Sequence, residues 1–372
     1  MFNIWLRFAS IWPIKANDVE PIRTQRLPPE LWAIIIDIII DEIRHPYQYC
    51  TPRTFSQFQK QLLYIGGAKE DPFLADWKSL RAVCRIWNRF AGPRPHLRIL
   101  RAFPPEDRTL WEASSLFMEY YTDQAVIVQH LVQNPSPSSN LTTLIFSYIY
   151  PDRGNVIDVL LDNPSVFSSL RCLVFPNLDT NRPFWGRIQD GFPKLVALVI
   201  GHSRGIDDGH YTLQSLETLE MDSWFNFQLS CPALKHLSIR GYTSGVMDKF
   251  MRIHGHQLES LLLGDQGSPL LARGAQKFWY TFPNLELLGI YFRARNIRGP
   301  HLEHPLRHLR LFPFGESISP DDVLSMIELF RTVTHIYLAV QDLVQVGDIP
   351  RPADELRDRC RERGVEIVEL RE

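Results

Sequence analysis

No Cys-x-x-Cys pair occurs in the 372 residues, and the five cysteines, Cys50, Cys84, Cys172, Cys231 and Cys360, stand singly and far apart. That spacing offers neither the common zinc sites nor a dithiol redox motif, and it predicts reduced thiols in a cytosolic or nuclear protein. A phosphate-cradling glycine loop is missing too; Gly66-Gly67 alone marks a turn. Charge of one sign is not in excess. With 40 basic and 42 acidic residues, a net charge of -2 supplies no global field to attract nucleic acid or an anionic membrane. Long apolar runs are short as well: Ile34 to Ile40 is far below a membrane span and carries Asp37 at its centre. Met1 to Ile14 is interrupted by Arg7 and has no small-residue cleavage site, so it is not read as a secretory signal. The sequon Asn140-Leu141-Thr142 would matter only in a secreted chain. What the chain does have is 45% hydrophobic content, enough for a large core and for two structural units.

Two stretches near the start carry helical spacing. In Trp77 to Ala91 the apolar residues Leu80, Val83, Cys84 and Trp87 recur every three or four positions, with Lys78, Arg81, Arg85 and Arg89 mostly between them. We read that basic stripe as a solvated helix face rather than a nucleic-acid contact. Gly92-Pro93 ends the pattern, because proline cannot extend a helix and glycine suits its C-terminal cap. Upstream, Leu27-Pro28-Pro29-Glu30-Leu31-Trp32 opens a helix predicted from Pro28 to Arg44. Its prolines sit where a missing N–H costs little, and Glu30 lies in the first turn. Leu31, Ile35, Ile38 and Ile39 share one side of it. Between the two helices, residues 45–76 contain a shorter helical pattern at Phe55, Phe58, Leu62 and Leu63.

Together these segments resemble an F-box. In that family a Leu-Pro-x-Glu-Leu start leads into a short apolar helix, against which a Leu-x-x-Val-Cys-x-x-Trp helix packs. The matching positions are Leu27, Pro28, Glu30, Leu31, Ile35, Ile39, Leu80, Val83, Cys84 and Trp87. This chain departs from the family in the length of residues 45–76, where a short connection is usual. The resemblance implies docking on a Skp-type adaptor of a cullin ubiquitin ligase through Leu27, Pro28, Glu30, Leu31, Ile35, Leu80, Val83, Cys84 and Trp87. It also implies a packing role for Cys84.

After a bridging region read as helical, Trp111 to Gln133, a different period takes over. Leu-x-x-Leu-x-Leu or an apolar equivalent recurs at Leu141-Leu144-Phe146, Leu170-Leu173-Phe175, Leu195-Leu198-Ile200, Leu216-Leu219-Met221 and Leu234-Leu237-Ile239. It continues at Leu258-Leu261-Leu263, Leu285-Leu288-Ile290, Leu306-Leu309-Leu311 and Val333-Ile336-Leu338, with Val365-Val368-Leu370 as a last strand. The interval, roughly 18 to 32 residues, brackets the leucine-rich repeat period. Each hexapeptide is a predicted strand with its leucines in the core. Helices are predicted between strands at Val156 to Leu161, Val246 to Ile253, Val323 to Phe330 and Ala353 to Arg363, and a loop at Gly201 to Gln214. The Asn or Cys that usually follows the strand is mostly absent, so the region resembles the degenerate repeats found behind an F-box. The expected class is α/β: a loose tail over 1–24, an F-box-like helical domain over 25–100, and a leucine-rich-repeat-like solenoid over 101–372. The solenoid would carry parallel strands on its concave face, with helices and loops outside.

Strand alternation then names a binding face. The second and fifth hexapeptide positions point away from the leucines; they are apolar in the first three strands and mostly polar later. An apolar face is expected to be covered, and Glu217, Glu220, Lys235, Glu259, Arg307, His308, Arg310 and Tyr337 are the expected contacts to an unidentified target protein. No cofactor, metal, membrane or nucleic acid is expected, nor enzymatic activity. Two other readings stay open. One is a leucine-rich scaffold whose F-box does not engage the adaptor. The other is a serine hydrolase, because Gly201-His202-Ser203-Arg204-Gly205 follows a predicted strand as a nucleophile elbow does. Against it, Ile206-Asp207-Asp208-Gly209-His210 is a poor helix start. His301, His304 and His308 are interrupted by Pro305 and lack matching carboxylate or cysteine partners. His254, His256 and the pairs Asp207-Asp208 and Asp321-Asp322 are read as turn and cap residues.

Overall fold

The computed structural model describes residues 97–100, 115–118, 124–135, 141–146, 156–175, 184–200, 209–221, 228–239, 245–264, 275–291, 299–312, 320–339 and 351–370. All of them belong to the unit of the chain that contains His96–Glu372. Within it, the leucine hexapeptides form strands of one parallel sheet. In chain order the strands are β1 (Leu97–Leu100), β2 (Ser115–Met118), β3 (Thr143–Phe146), β4 (Cys172–Phe175), β5 (Ala197–Ile200), β6 (His210–Thr212), β7 (Thr218–Met221) and β8 (Gln228–Ser230). Then follow β9 (His236–Ile239), β10 (Ser260–Leu263), β11 (Leu287–Tyr291), β12 (His308–Phe312), β13 (His335–Ala339) and β14 (Glu366–Leu370). Twelve of these lie side by side in sequence order, all parallel, while β6 and β8 pair separately into a small parallel sheet.

The register is held by a repeated backbone bond. From β3 to β13 the carbonyl of each second-position residue accepts the N–H groups of the second and third residues of the next strand. Thr142 receives Arg171 and Cys172 (2.7 and 3.0 Å), Lys235 receives Glu259 and Ser260 (2.8 and 3.1 Å), and Arg307 receives Thr334 and His335 (2.8 and 3.0 Å). Every strand therefore starts level with its neighbour, and like positions stack on like. A turn sets each start: the N–H of the first leucine bonds the carbonyl three residues earlier, as Leu170 to Phe167, Leu195 to Phe192, Leu234 to Cys231 and Leu285 to Phe282. The residue at the head of that turn is itself buried, notably Phe167, Phe192, Cys231, Phe282 and Phe330.

The first, fourth and sixth positions fill the core. Leu144, Leu173, Leu198, Leu219, Leu237, Leu261, Leu288, Leu309 and Ile336 are all fully excluded from solvent. They join one cluster with the helices α1 (Gln124–Gln133), α2 (Val156–Asp162), α3 (Phe184–Gly191), α4 (Gly245–His254), α5 (Ala275–Thr281), α6 (Pro320–Leu329) and α7 (Arg351–Glu362). Aromatic rings link successive repeats: Phe146 stacks on Phe175 at 5.1 Å, and Phe175 meets Phe184 edge-on at 6.2 Å. Such pairs add roughly 1 kcal/mol beyond burial. Between α3 and α2, Arg187 donates to Asp158 at 2.8 Å and also pairs with Asp162. Helix ends lack partners for their last carbonyls, and asparagine supplies them here: Asn163 Nδ2 donates to Val159 O at 2.8 Å and Asn134 Nδ2 to His130 O at 3.1 Å.

Four expected helices are present, and Asp321 and Asp322 do occupy the first turn of α6. Other expectations need correction. The sheet begins at Leu97, inside the stretch expected to be helical, and Trp111 to Gln133 contains strand β2 before α1 starts at Gln124. Short strands of four residues leave too little periodicity to separate from a helix. Within Gly201 to Gln214, the segment His210–Thr212 is strand. Helices α3 and α5, of eight and seven residues, were not expected.

The last strand is shifted by one residue. Ile367 pairs with Ile336, and Val368 with Tyr337, so Val368 occupies the fifth position, not the fourth. A single-residue slip exchanges the faces of a strand. Here the cause is the connection: Gly364 takes φ +72, a left-handed conformation that glycine adopts without Cβ strain. The Val365 N–H folds back to the Cys360 carbonyl at 2.9 Å.

Candidate binding face of the sheet

The face opposite the helices is built from the third and fifth positions, with the second position at its edge where each strand starts. The early strands present Ile145, Val174 and Val199 at the fifth position, and all three are buried. None of them belongs to the cluster shared with the helices, so this burial is that of the second face. Burial of the apolar early face, as expected, is thus observed. It extends further than expected, however. Glu220, Arg310 and Tyr337 are only 4%, 5% and 2% exposed, which corrects their assignment as solvent-facing contacts. Alternation names the face of a side chain but carries no information on what lies over that face.

The remaining expected contacts divide by their surroundings. Glu259 and Arg307 are exposed, and Glu217, Lys235 and His308 are half-buried. Lys235 Nζ lies 3.4 Å from Glu217 Oε2 on the preceding strand start, a partly solvated pair of less than ~1 kcal/mol. Arg307 is committed to the backbone: its Nη1 donates to the carbonyls of His304 (3.0 Å), Leu306 (3.1 Å) and Thr332 (3.3 Å). It therefore braces two adjacent turns. Glu286, not among the expected contacts, stands exposed beside Glu259 at the same position of the next strand.

The third position was passed over, His308 excepted, and it carries a line of histidines. The ring of His308 lies 4.9 Å from that of His335, and Tyr337 Oη is 3.1 Å from His308 Nδ1. His335 Nε2 approaches Glu366 at 3.5 Å, while its Nδ1 is 2.9 Å from Thr334 Oγ1. Two strands earlier than β11, His236 Nδ1 lies 3.1 Å from Ser260 Oγ, and burial, helped by the neighbouring Lys235 charge, lowers the imidazole pKa to about 4. The signal was available: His236, His308 and His335 occupy one column of the aligned hexapeptides. These groups make a hydrogen-bonding surface of mixed sign on β9 to β14. No family model and no curated protein matches the chain. The functional reading therefore rests on the residues themselves.

Two further histidines, His254 and His304, are buried in structural positions. His304 is 1% exposed; its Nδ1 accepts the Leu306 N–H at 3.2 Å, which leaves Nε2 to donate to the Phe282 carbonyl at 2.9 Å. Burial lowers its pKa. His254 is the buried last residue of α4, with its Nε2 facing the Cys231 N–H at 3.5 Å. Its pKa is likewise lowered by burial. Cys231 is fully buried and burial raises its thiol pKa strongly, which suits packing and not nucleophilic chemistry. Among the described residues no three His, Cys, Asp or Glu side chains converge to hold a metal ion, and no helix is long and apolar enough to cross a membrane.

Two clefts open beside the small sheet. One, of about 320 Å³, is bordered by Gln189, Asp190, Thr212 and Ser215, where Ser215 Oγ donates to the Pro193 carbonyl at 2.9 Å. The other, of about 190 Å³, is bordered by His210, Gln228, Lys249 and His254, where Lys249 Nζ donates to Gln228 Oε1 at 3.2 Å. Ser203 and its flanking glycines lie outside the described residues, as do all the adaptor positions Leu27, Pro28, Glu30, Leu31, Ile35, Leu80, Val83, Cys84 and Trp87.

Proposed function

We propose that this chain is a non-catalytic substrate-recognition subunit of a Skp-cullin-F-box ubiquitin ligase, working in the cytosol or nucleus. The helices around Leu27 to Ile39 and Leu80 to Trp87 dock on the Skp-type adaptor, and a leucine-rich-repeat solenoid holds the target protein. The observation that carries the reading is the combination of two ordered F-box-like motifs with a sheet whose parallel strands follow in chain order at one register. A repeated strand-and-connector unit stacks neighbours into an extended face suited to binding a protein. On that face the exposed and half-buried Glu217, Lys235, Glu259 and His308 are the target contacts, with Glu286 added; Arg307 shapes the turn beside them.

Adaptor docking is helix-in-groove packing, in which a few apolar anchors dominate. Co-expression of the full chain with a Skp-type adaptor tests it by size exclusion. A one-to-one complex is expected, and Leu31→Asp with Trp87→Ala abolishes it while the sheet stays folded. A folded chain that leaves the adaptor unbound overturns the reading. It would favour the alternative of a leucine-rich scaffold whose F-box does not engage the adaptor, for which the long segment 45–76 between the two motifs speaks.

A further inference from the structure

Among the described residues five large apolar side chains are conspicuously exposed: Val126 (45%), Ile253 (51%), Tyr280 (77%), Leu302 (70%) and Leu329 (40%). Four of the five lie in the segments just before four consecutive strands, β10 to β13. Ile253, Tyr280 and Leu329 are at the C-terminal ends of α4, α5 and α6, and Leu302 is in the equivalent turn before β12. Each lies four or five residues before the leucine or valine that starts the next strand. Strands in chain order at one register bring these turns side by side, and direct contacts show it.

Asn284 Nδ2 donates to the His256 carbonyl at 2.6 Å, tying the turn after Ile253 to the turn after Tyr280. Gly255 approaches Thr281 so closely that an added Cβ would stand 2.7 Å from the Thr281 carbonyl oxygen. His304, two residues after Leu302, bonds the Phe282 carbonyl and sits edge-on to Trp279 at 5.0 Å. Gly299, three residues before Leu302, abuts the Leu329 carbonyl with no room for a side chain. The four exposed residues thus lie in four adjacent turns, a row along the edge of the unit where its strands begin.

The row is flanked by positive charge. Arg252, Lys277 and Arg331 are exposed within three residues of Ile253, Tyr280 and Leu329, and Lys249 shares a helix face with Ile253 at four-residue spacing. Of the acids nearby, Glu328 is paired with Arg363 at 3.0 Å, Glu303 remains exposed beside Leu302, and Glu259 and Glu286 stand exposed at the strand starts. His256 and His301 are exposed there too. Four partly exposed side chains provide less than the ~800 Å² per partner of a stable domain-to-domain interface. They suit a short segment laid across the turns, with its apolar side on the row and its acids on the lysines and arginines.

We propose that this edge is a second interaction surface, and that its occupant is an acidic amphipathic segment of a partner protein. The proposal stands on the repeat edge alone and is independent of adaptor docking. The test uses the full chain and two fluorescein-labelled amphipathic helical peptides, one with leucines opposite glutamates, the other with lysines in place of the glutamates. Fluorescence anisotropy is expected to give an affinity for the acidic peptide at least about ten-fold above that for the basic one. Tyr280→Asp with Leu302→Asp abolishes that binding without moving the thermal transition, since both sites are largely solvated. Val126→Asp, on α1, leaves it unchanged. Equal binding of the two peptides, binding that survives the double substitution, or no binding at all overturns the proposal. A concentration-dependent dimer that the double substitution dissolves would assign the row to a second copy of the chain and overturn it equally.

Discussion

The early and late strands of the sheet differ in chemistry but not in depth. On the face turned from the helices, β3 to β5 carry Ile145, Val174 and Val199, while β7, β12 and β13 carry Glu220, Arg310 and Tyr337 at the same position; all six are buried. The facing leucine rows are alike throughout. Polarity at a given position therefore marks where hydrogen-bonding and charged partners are built into the second face, not where solvent begins. An apolar residue there needs only contact, whereas a buried polar one needs a partner.

Exchanging the two chemistries should break the comparison most strongly. Val174→Glu places a carboxylate where the early strands offer only apolar neighbours and is expected to cost on the order of 4 kcal/mol or more, read as a lowered urea midpoint. The same midpoint sharpens the late-strand side through pH. The folded-state pKa of His236 is about 4, below the ordinary 6.5, so between those values the unfolded chain binds the extra proton. The stability is complete above pH 6.5 and is lost as pH falls toward 4. At about 1.4 kcal/mol per pH unit of displacement, the loss from this residue is of order 3 kcal/mol. His236→Gln should flatten the dependence in that window, with His254 and His304 leaving a residual slope of the same sign. The smallest effect belongs to the partly solvated strand starts: Lys235→Gln should change stability by less than ~1 kcal/mol, with the remaining ion-pair contribution fading as salt is raised.

The leucine pattern predicted nine strands and their inward residues correctly, because three apolar positions repeated with one spacing leave only one face for each strand. The turn before two of the strands is also written in the chain, as Phe192-Pro193-Lys194-Leu195 and Phe282-Pro283-Asn284-Leu285. The two earliest strands escaped because β1 and β2 lack a leucine at the first position. Strand β14 was misregistered for a different reason. Val365-Val368-Leu370 satisfies the pattern, but the left-handed turn at Gly364 and the pairing of Ile367 with Ile336 overrule it. Of the residues singled out on this face, the exposure of the second-position ones was legible, because the strand starts turn them toward the edge. The burial of Glu220, Arg310 and Tyr337 was not.

By itself the sequence determined the α/β class, the order of the strands in the sheet's long run of leucine hexapeptides, and the side chains that meet the helices. These follow from periodicities of two and of about three and a half, which are local properties of the backbone. Only the tertiary structure decided the burial of the second face, the use of Arg307 as a brace, the slip of the last strand, and the alignment of Ile253, Tyr280, Leu302 and Leu329 into one row. Each of these depends on what a neighbouring repeat places beside a residue, and connectors of unequal length hide that adjacency from any linear reading.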